Sequence, residues 1–344
     1  MPRTGTDYKK EHKADFGKER IELLYEDEVL AVIFKPSGML TVPYPGSHAK
    51  TAEAALEQIL RKKGTYSNNH KPFTVHRLDR DTSGVMMFAM TAAAQKKIMD
   101  SWQKMVTERL YHAVAENPDP KTKPLPESGL IDDELAYNAH NIGFVPKSGD
   151  SPDQENARNA LRQAERKHHG GTEKSVYEKN LTIKNGKAEF KTITARTHYK
   201  ILERGKFHTL FELSLDTGRK NQIRAHLASK GYPLAGDENY RAKTDPFARL
   251  ALHARTLEFV HPYTGEKMKF EIPEPEEWLS AVKNGTGNIP AAWAVERGES
   301  FERKARSKER KQGSDIYEEA KKHAKPTRRQ MAGMDFIQKG KLHR

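Results

Sequence analysis

Apolar residues along this chain fall into short runs separated by polar turns. Ile21 to Tyr25 and Val29 to Phe34 predict two strands joined by a turn through Glu26-Asp27-Glu28, with Lys35-Pro36-Ser37-Gly38 ending the second. Ala52, Ala55, Leu56, Ile59 and Leu60 repeat at helical spacing. Thr51 stands where an N-cap belongs and Gly64 where a C-cap belongs, so a helix is predicted from Thr51 to about Lys63. Val85 to Ala89 is apolar throughout, the pattern of a strand buried on both faces. A second helix is predicted over 91–105, with Ala94, Ile98, Trp102 and Met105 on one side, followed by a strand from Leu110 to Ala115. Further strands are predicted at 190–194, 198–202, 209–215, 250–253, 257–260 and 268–272, and a helix at 221–230 closed by Gly231. Strands mixed with a few helices in no strict alternation indicate an α+β domain.

Residues 117–188 interrupt this pattern with clusters of Pro, Gly, Asp and Asn. A helix-like piece near 154–168 has only a small apolar face, so the segment reads as an insertion decorating the domain. The expected organisation is a flexible polar leader over 1–20, one domain over 21–283 and a tail over 284–344. The tail carries 15 Lys or Arg against 8 Asp or Glu and is expected to be disordered or partly helical. Its run from Arg303 to Lys311 is either a solvated charge run or an RNA-backbone contact.

Charge narrows the class of partner. The chain has 344 residues, of which 35% are hydrophobic, and a formal net charge of +13, which favours a polyanion such as RNA, DNA or an anionic membrane surface. With no cysteine, disulfides, thiol nucleophiles and thiolate metal sites are excluded, and the composition fits a cytoplasmic protein. No stretch approaches the roughly 18 apolar residues of a membrane span, and Met1 to Arg20 has no apolar signal core. His168 and His169 read as surface residues rather than metal ligands, since no carboxylate lies at ligand spacing.

The chemistry concentrates in His76-Arg77-Leu78-Asp79-Arg80-Asp81-Thr82-Ser83-Gly84, a carboxylate between two cations that runs straight into the apolar strand. This segment resembles the HRLD-x-x-TSG motif of the RNA pseudouridine synthases of the RluA-like family. Lys35-Pro36-Ser37-Gly38 resembles that family's first motif, and Tyr111 stands in its x-x-Y-x-A strand. Thr217-Gly218-Arg219-Lys220-Asn221-Gln222-Ile223-Arg224-Ala225-His226 is similar to T-G-R-x-x-Q-I-R-x-H. Gly231 to Tyr240 is similar to G-x-P-I-x-G-D-x-x-Y, and Leu252-His253-Ala254 with His261-Pro262 to the closing L-H-A … H-P; these are expected to shape the site without a chemical step. The resemblance covers about 21–275 without the insertion.

The resemblance implies a large, mostly antiparallel mixed sheet with flanking helices and an RNA cleft across it. It implies a cofactor-free isomerisation of uridine in ribosomal RNA, with 23S favoured, or in transfer RNA. Asp79 would be the catalytic residue, Arg224 its ion-pair partner, and Tyr111 a phenol against the target base. Isomerisation needs the glycosidic bond broken, the base rotated and a bond made at C5. An ionised carboxylate serves either as nucleophile or as base toward the ribose, and the sequence leaves both routes open. Arg77, Arg80, Arg219 and Lys220 are the candidate RNA-binding residues. Arg77 would either fill the gap left by an extruded base or contact phosphate. Asn221 departs from the family, in which His is common. Only 20 residues precede the first strand, so the extra N-terminal RNA-binding module of some relatives is not expected, and the protein is expected to act as a monomer.

A rival reading takes Asp79-Arg80-Asp81-Thr82 as the D-x-D of a Mg-dependent phosphatase with an Asp nucleophile. A third is a non-catalytic RNA-binding or ribosome-assembly factor.

Overall fold

The computed structural model describes residues 20–44, 49–153, 180–184 and 187–296. Most of the leader, the helix-like piece at 154–168, the His168-His169 pair and the basic run 303–311 lie outside the described residues. Residues up to Ala291 form one compact unit, and of the second unit only the helical turn 292–296 is described.

The strands are β1 (Glu22–Glu26), β2 (Leu30–Lys35), β3 (Phe73–Thr74), β4 (Ser83–Ala89), β5 (Val106–Glu116), β6 (Ser128–Ile131), β7 (Ala136–Tyr137), β8 (Gly143–Phe144), β9 (Leu181–Lys184), β10 (Lys187–Phe190), β11 (Thr197–Arg204), β12 (His208–Leu215), β13 (Leu252–Val260) and β14 (Lys267–Glu271). The helices are α1 (Ala52–Lys63), α2 (Ala92–Met105), α3 (Gln222–Ser229) and α4 (Glu276–Asn284). Ten strands form one sheet, ordered β1-β2-β4-β13-β5-β12-β11-β6, with β3 added to β4 and β14 to β13. Its strand pairings are antiparallel apart from β4 with β13.

Alternation along the strands divides the core between the two faces. In β2, Ala31 and Ile33 join one cluster while Leu30 and Val32 join the other; in β4, Met86 and Phe88 oppose Val85 and Met87. α1 and α3 cover the first face through Ala52, Ala55, Leu56, Leu60, Ile223 and Leu227. The second face is covered by α2, through Ala94, Ile98 and Met105, and by α4, through Trp278 and Val282. All seven residues of β4 are buried, as its apolar run predicts. Thr51 and Thr91 cap α1 and α2, each accepting a backbone N–H at 3.1 Å, which is worth about 1 kcal/mol apiece.

The sheet forks at Gly84. β4 pairs with β13 only over Ser83 and Gly84, opposite His253 and Ala254. Beyond that point β4 takes β3 as its neighbour and β13 takes β14. The loop carrying Asp79 enters the sheet at this fork.

Four features differ from the sequence reading, the first being the strand predicted at 190–194, where β10 ends at Phe190 and only Ile193 bridges to Leu135. The segment read as an insertion supplies β6, which pairs with β11 at the edge of the main sheet, so this part of it builds the core rather than decorating it. The strands predicted at 250–253 and 257–260 are one strand, β13. α4 is absent from the sequence reading, and the chain past it stays attached beyond 284: Asp245 N donates to Ile289 O and Ala291 N to Lys243 O.

Candidate active site

Asp79 lies in the loop between β3 and β4, and three side chains from the end of β2 and the turn after it fix that loop. Lys35 is fully buried at the end of β2, and its ammonium donates to Pro36 O, Met39 O and Arg80 O at 2.8–3.0 Å. Ser37 Oγ donates to Asp81 O at 2.7 Å, and Thr41 Oγ1 donates to Leu78 O at 2.9 Å. A buried ammonium is costly unless its protons are all bonded, and here one carbonyl takes each. Lys35 and Ser37 therefore hold the backbone on the C-terminal side of Asp79.

His76 sets the other end of the loop. Its ring packs on Trp102 with centroids 4.9 Å apart, and its Nε2 accepts the Met87 N–H at 3.0 Å. Burial, with the Arg109 guanidinium nearby, brings its pKa down to about 3, so it is neutral and works as an acceptor.

Arg224 and Asn221 approach Asp79 from the segment that starts α3. Gln222 folds this segment back: its Oε1 accepts from Thr217 Oγ1 and Arg219 N, and its Nε2 donates to Arg196 O and Thr197 Oγ1. His226 anchors α3 through Thr197 Oγ1 and Asp133 O. Asn221 Nδ2 donates to Asp79 Oδ2 at 2.7 Å, and Arg224 NH1 stands 3.5 Å from the same oxygen.

The expected Arg224–Asp79 pair is therefore present but long, and the close partner of Arg224 is Asp237. Arg224 Nε and NH2 donate to the two Asp237 oxygens at 2.7 and 2.8 Å, a bidentate pair among buried groups. Burial alone would favour the uncharged form of Arg224, but the bonds and charge of Asp237, with Asp79 adding to them, hold its pKa above the ordinary arginine value. The Tyr240 ring lies 5.1 Å from the guanidinium carbon. Asp237 and Tyr240 belong to the G-D-x-x-Y motif, to which the sequence reading gave no chemical part. Asp237→Ala leaves the Arg224 charge buried with Asp79, at 3.5 Å, as its nearest carboxylate. It is expected to cost about 3–5 kcal/mol of stability and to reduce turnover at temperatures where the fold survives. Urea unfolding and a rate measurement on one preparation check both.

Asp79, Asn221 and Arg224 line a cleft of about 410 Å³, within the ~300–1,000 Å³ typical of small-ligand sites and large enough for one nucleotide. Its lining includes five Lys or Arg side chains (Arg77, Arg109, Arg219, Lys220, Arg224) and one Asp or Glu, Asp79. Tyr111 on β5 is buried against it. Burial pushes its phenol up, with Asp79 adding to the shift and Arg109 opposing it, so the hydroxyl keeps its proton at neutral pH. Arg77 and Arg219 are exposed at the cleft, and Arg219 Nε donates to Thr194 O at 3.1 Å. Lys220 Nζ donates to Asn141 O at 2.8 Å. Burial lowers the Lys220 pKa and Asp79 partly restores it.

Arg80 is the sequence-predicted site residue that the cleft does not include. Its Nε pairs with Asp81 at 3.0 Å on the surface, and its part in the site is its backbone carbonyl. The two carboxylates of the D-x-D are thus turned apart, Asp79 into the cleft and Asp81 toward Arg80. Metal-assisted phosphate chemistry at a shared site would need them together.

Residues 29–229 match the model of the RNA pseudouridylate synthase family. The chain is 32% identical over 273 residues to the ribosomal large subunit pseudouridine synthase D of Pseudomonas aeruginosa, covering 75% of this chain and 70% of that protein. It is 32% identical to an uncharacterised RNA pseudouridine synthase of Bacillus subtilis, covering 77% and 72%. In fold it is similar to human RNA pseudouridylate synthase domain containing 4, at a TM-score of 0.50 and 19% identity, covering 80% of this chain and 95% of that one. The family match spans the first motif, the Asp79 loop, the Tyr111 strand and the Arg224 helix together, and the chain belongs to the RNA pseudouridylate synthase family, in its RluA-like branch.

Proposed function

We propose that this pseudouridine synthase modifies a uridine of 23S ribosomal RNA, with Asp79 as the catalytic group and no cofactor. The observation that carries the assignment to Asp79 is its setting. It is the carboxylate in a cationic cleft, with Asn221 and Arg224 both on Oδ2 and, among the described residues, no hydrogen bond to Oδ1. The choice of RNA follows the name of the Pseudomonas aeruginosa relative.

The steps follow from the chemistry. A uridine in folded RNA is stacked and must be extruded before the cleft receives it, at a cost of a few kcal/mol. Arg77 at the mouth fills the vacated space or binds the flanking phosphate. Arg219 and Lys220 bind the backbone without reading sequence. Oδ1 then either displaces the base at C1′ or takes a ribose proton; the base leaves through N1, turns and bonds to C1′ through C5 as the carboxylate departs or the ribose proton is returned, and N1 ends protonated. The hydrogen on C5 leaves as a proton, so no oxidant or reductant is required. Tyr111, which keeps its proton, packs against the base.

RNA tritiated at uridine C5 tests the assignment. The intact protein is expected to release tritium from 23S RNA, not from transfer RNA, at the same rate with and without EDTA. Release from transfer RNA alone would overturn the target. Loss of release in EDTA would overturn the cofactor-free route. No release from either RNA would overturn the proposal.

A further inference from the structure

We infer that Asn221 is a positioning residue for Asp79, holding the carboxylate with an uncharged donor so that Oδ1 faces the substrate. The inference rests on the reading of Asp79 as the catalytic group. Four observations carry it.

Asn221 makes the short bond to Asp79, 2.7 Å from Oδ2. Arg224 reaches the same oxygen only at 3.5 Å, because Asp237 occupies its Nε and NH2. The amide therefore sets the rotation of the carboxylate, and the guanidinium supplies charge from further away.

Asn221 is also the N-cap of α3, yet its side chain makes no capping bond. Asparagine at an N-cap ordinarily turns its side chain onto the first helix amides. Here the local bond is forgone for one across 142 positions of sequence.

The backbone at Asn221 is left-handed, with φ 57° and ψ 18°. Asn and His are among the residues that accept this conformation more readily than most. The position thus requires a residue that tolerates left-handed backbone and offers an N–H one bond beyond Cγ.

The turn bearing Asn221 is clamped by the β7–β8 hairpin. Tyr137 OH donates to Lys220 O at 3.3 Å, Lys220 Nζ donates to Asn141 O, and Gly143 N donates to Asn221 Oδ1 at 3.4 Å. Tyr240 OH, from the segment beside Arg224, donates to Gly143 O. With its oxygen bound to Gly143, the Asn221 amide presents its NH2 to Asp79. An amide does not titrate, so the orientation of Asp79 persists across neutral pH. An imidazole there would change charge between about pH 5 and 8.

Single-turnover rates and RNA affinities of Asn221→Gly and Asn221→His test this, with Asp79→Asn in the same assay. Glycine accepts the backbone and removes the amide. Its rate is expected to fall roughly 10–100-fold, with Kd for RNA changed less than about threefold, since misplacing a reacting group by ~1 Å costs on that order. Histidine places Nδ1–H where the amide stood. It is expected to recover most of the loss and to introduce an inflection in the pH–rate profile between about pH 5 and 8 that the intact protein lacks. A glycine variant at full rate, a loss confined to Kd, or a histidine variant without the inflection would overturn the inference. If Asp79→Asn turns over, the reading of Asp79 itself fails. If Asp79→Asn is inactive and Asn221→Gly is fully active, only the role of Asn221 fails.

Discussion

Asp79→Asn is expected to lower the single-turnover rate of pseudouridine formation by roughly 10³-fold or more while RNA binding persists. An amide in place of the carboxylate neither attacks carbon nor removes a proton, and losing a nucleophile or base has effects of this order. The fold should be spared. Arg224 keeps its bidentate bonds to Asp237, and the loop keeps the contacts of Lys35, Ser37, Thr41 and His76. Binding should not weaken, because the substitution removes a negative charge from a cleft lined by five cations that face a polyanion. A binding titration beside the rate separates the two effects. A rate within tenfold of the intact protein would contradict the assignment, and a loss found only in Kd would make Asp79 a binding residue.

Gly84→Ala is expected to give a large loss of stability. Gly84 has φ +128°, which L side chains rarely adopt, and an added Cβ would stand 2.1 Å from Ala254 O. That oxygen belongs to β13 at the fork, held on its other side by β5, so it has nowhere to retreat. Backbone strain and overpacking together are expected to cost about 3–5 kcal/mol, a large share of a domain's ~5–15 kcal/mol. Gly64→Ala is the matching control. It is also left-handed, at φ +78°, but nothing lies within 4 Å of the added carbon, so the cost is expected near 1 kcal/mol. Urea unfolding of the two variants measures the difference. Equal midpoints would show that the close approach at the fork contributes nothing.

The fold was legible where a run was long and regular. The unbroken apolar β4, and α1 and α2 with their threonine caps, appear where periodicity places them. β13 read as two strands because Arg255 and Thr256 interrupt its apolar pattern, at a register irregularity that sequence does not reveal. α4 buries only Trp278 and Val282 over nine residues, too few for a visible stripe, although Glu276 and Glu277 at its start and Gly285 after it were available signals. β6 is four residues long, and its place is set by pairing with β11 across the insertion.

The candidate site was legible as motifs but not as partnerships. Asp79, Arg224 and Tyr111 could be named from the resemblance of their motifs to the family's, and the structure gathers all three at one cleft. The Arg224–Asp237 bond could not be foreseen, because the chain reverses between α3 and Asp237, and pairing across such a reversal leaves no periodic trace. Asn221 shows in sequence only as a departure from the family, because its partner Asp79 is remote in sequence. Lys35 carries no sequence signal for its part in the site, because its acceptors are backbone carbonyls, which no side-chain pattern encodes.

The most direct measurement of the central claim is nucleoside analysis of digested 23S RNA after incubation with saturating intact protein or saturating Asp79→Asn. Pseudouridine equal to the tritium released is expected from the intact protein, and none from the variant on the same time scale. Pseudouridine from both at similar rates, or from neither, would contradict that claim.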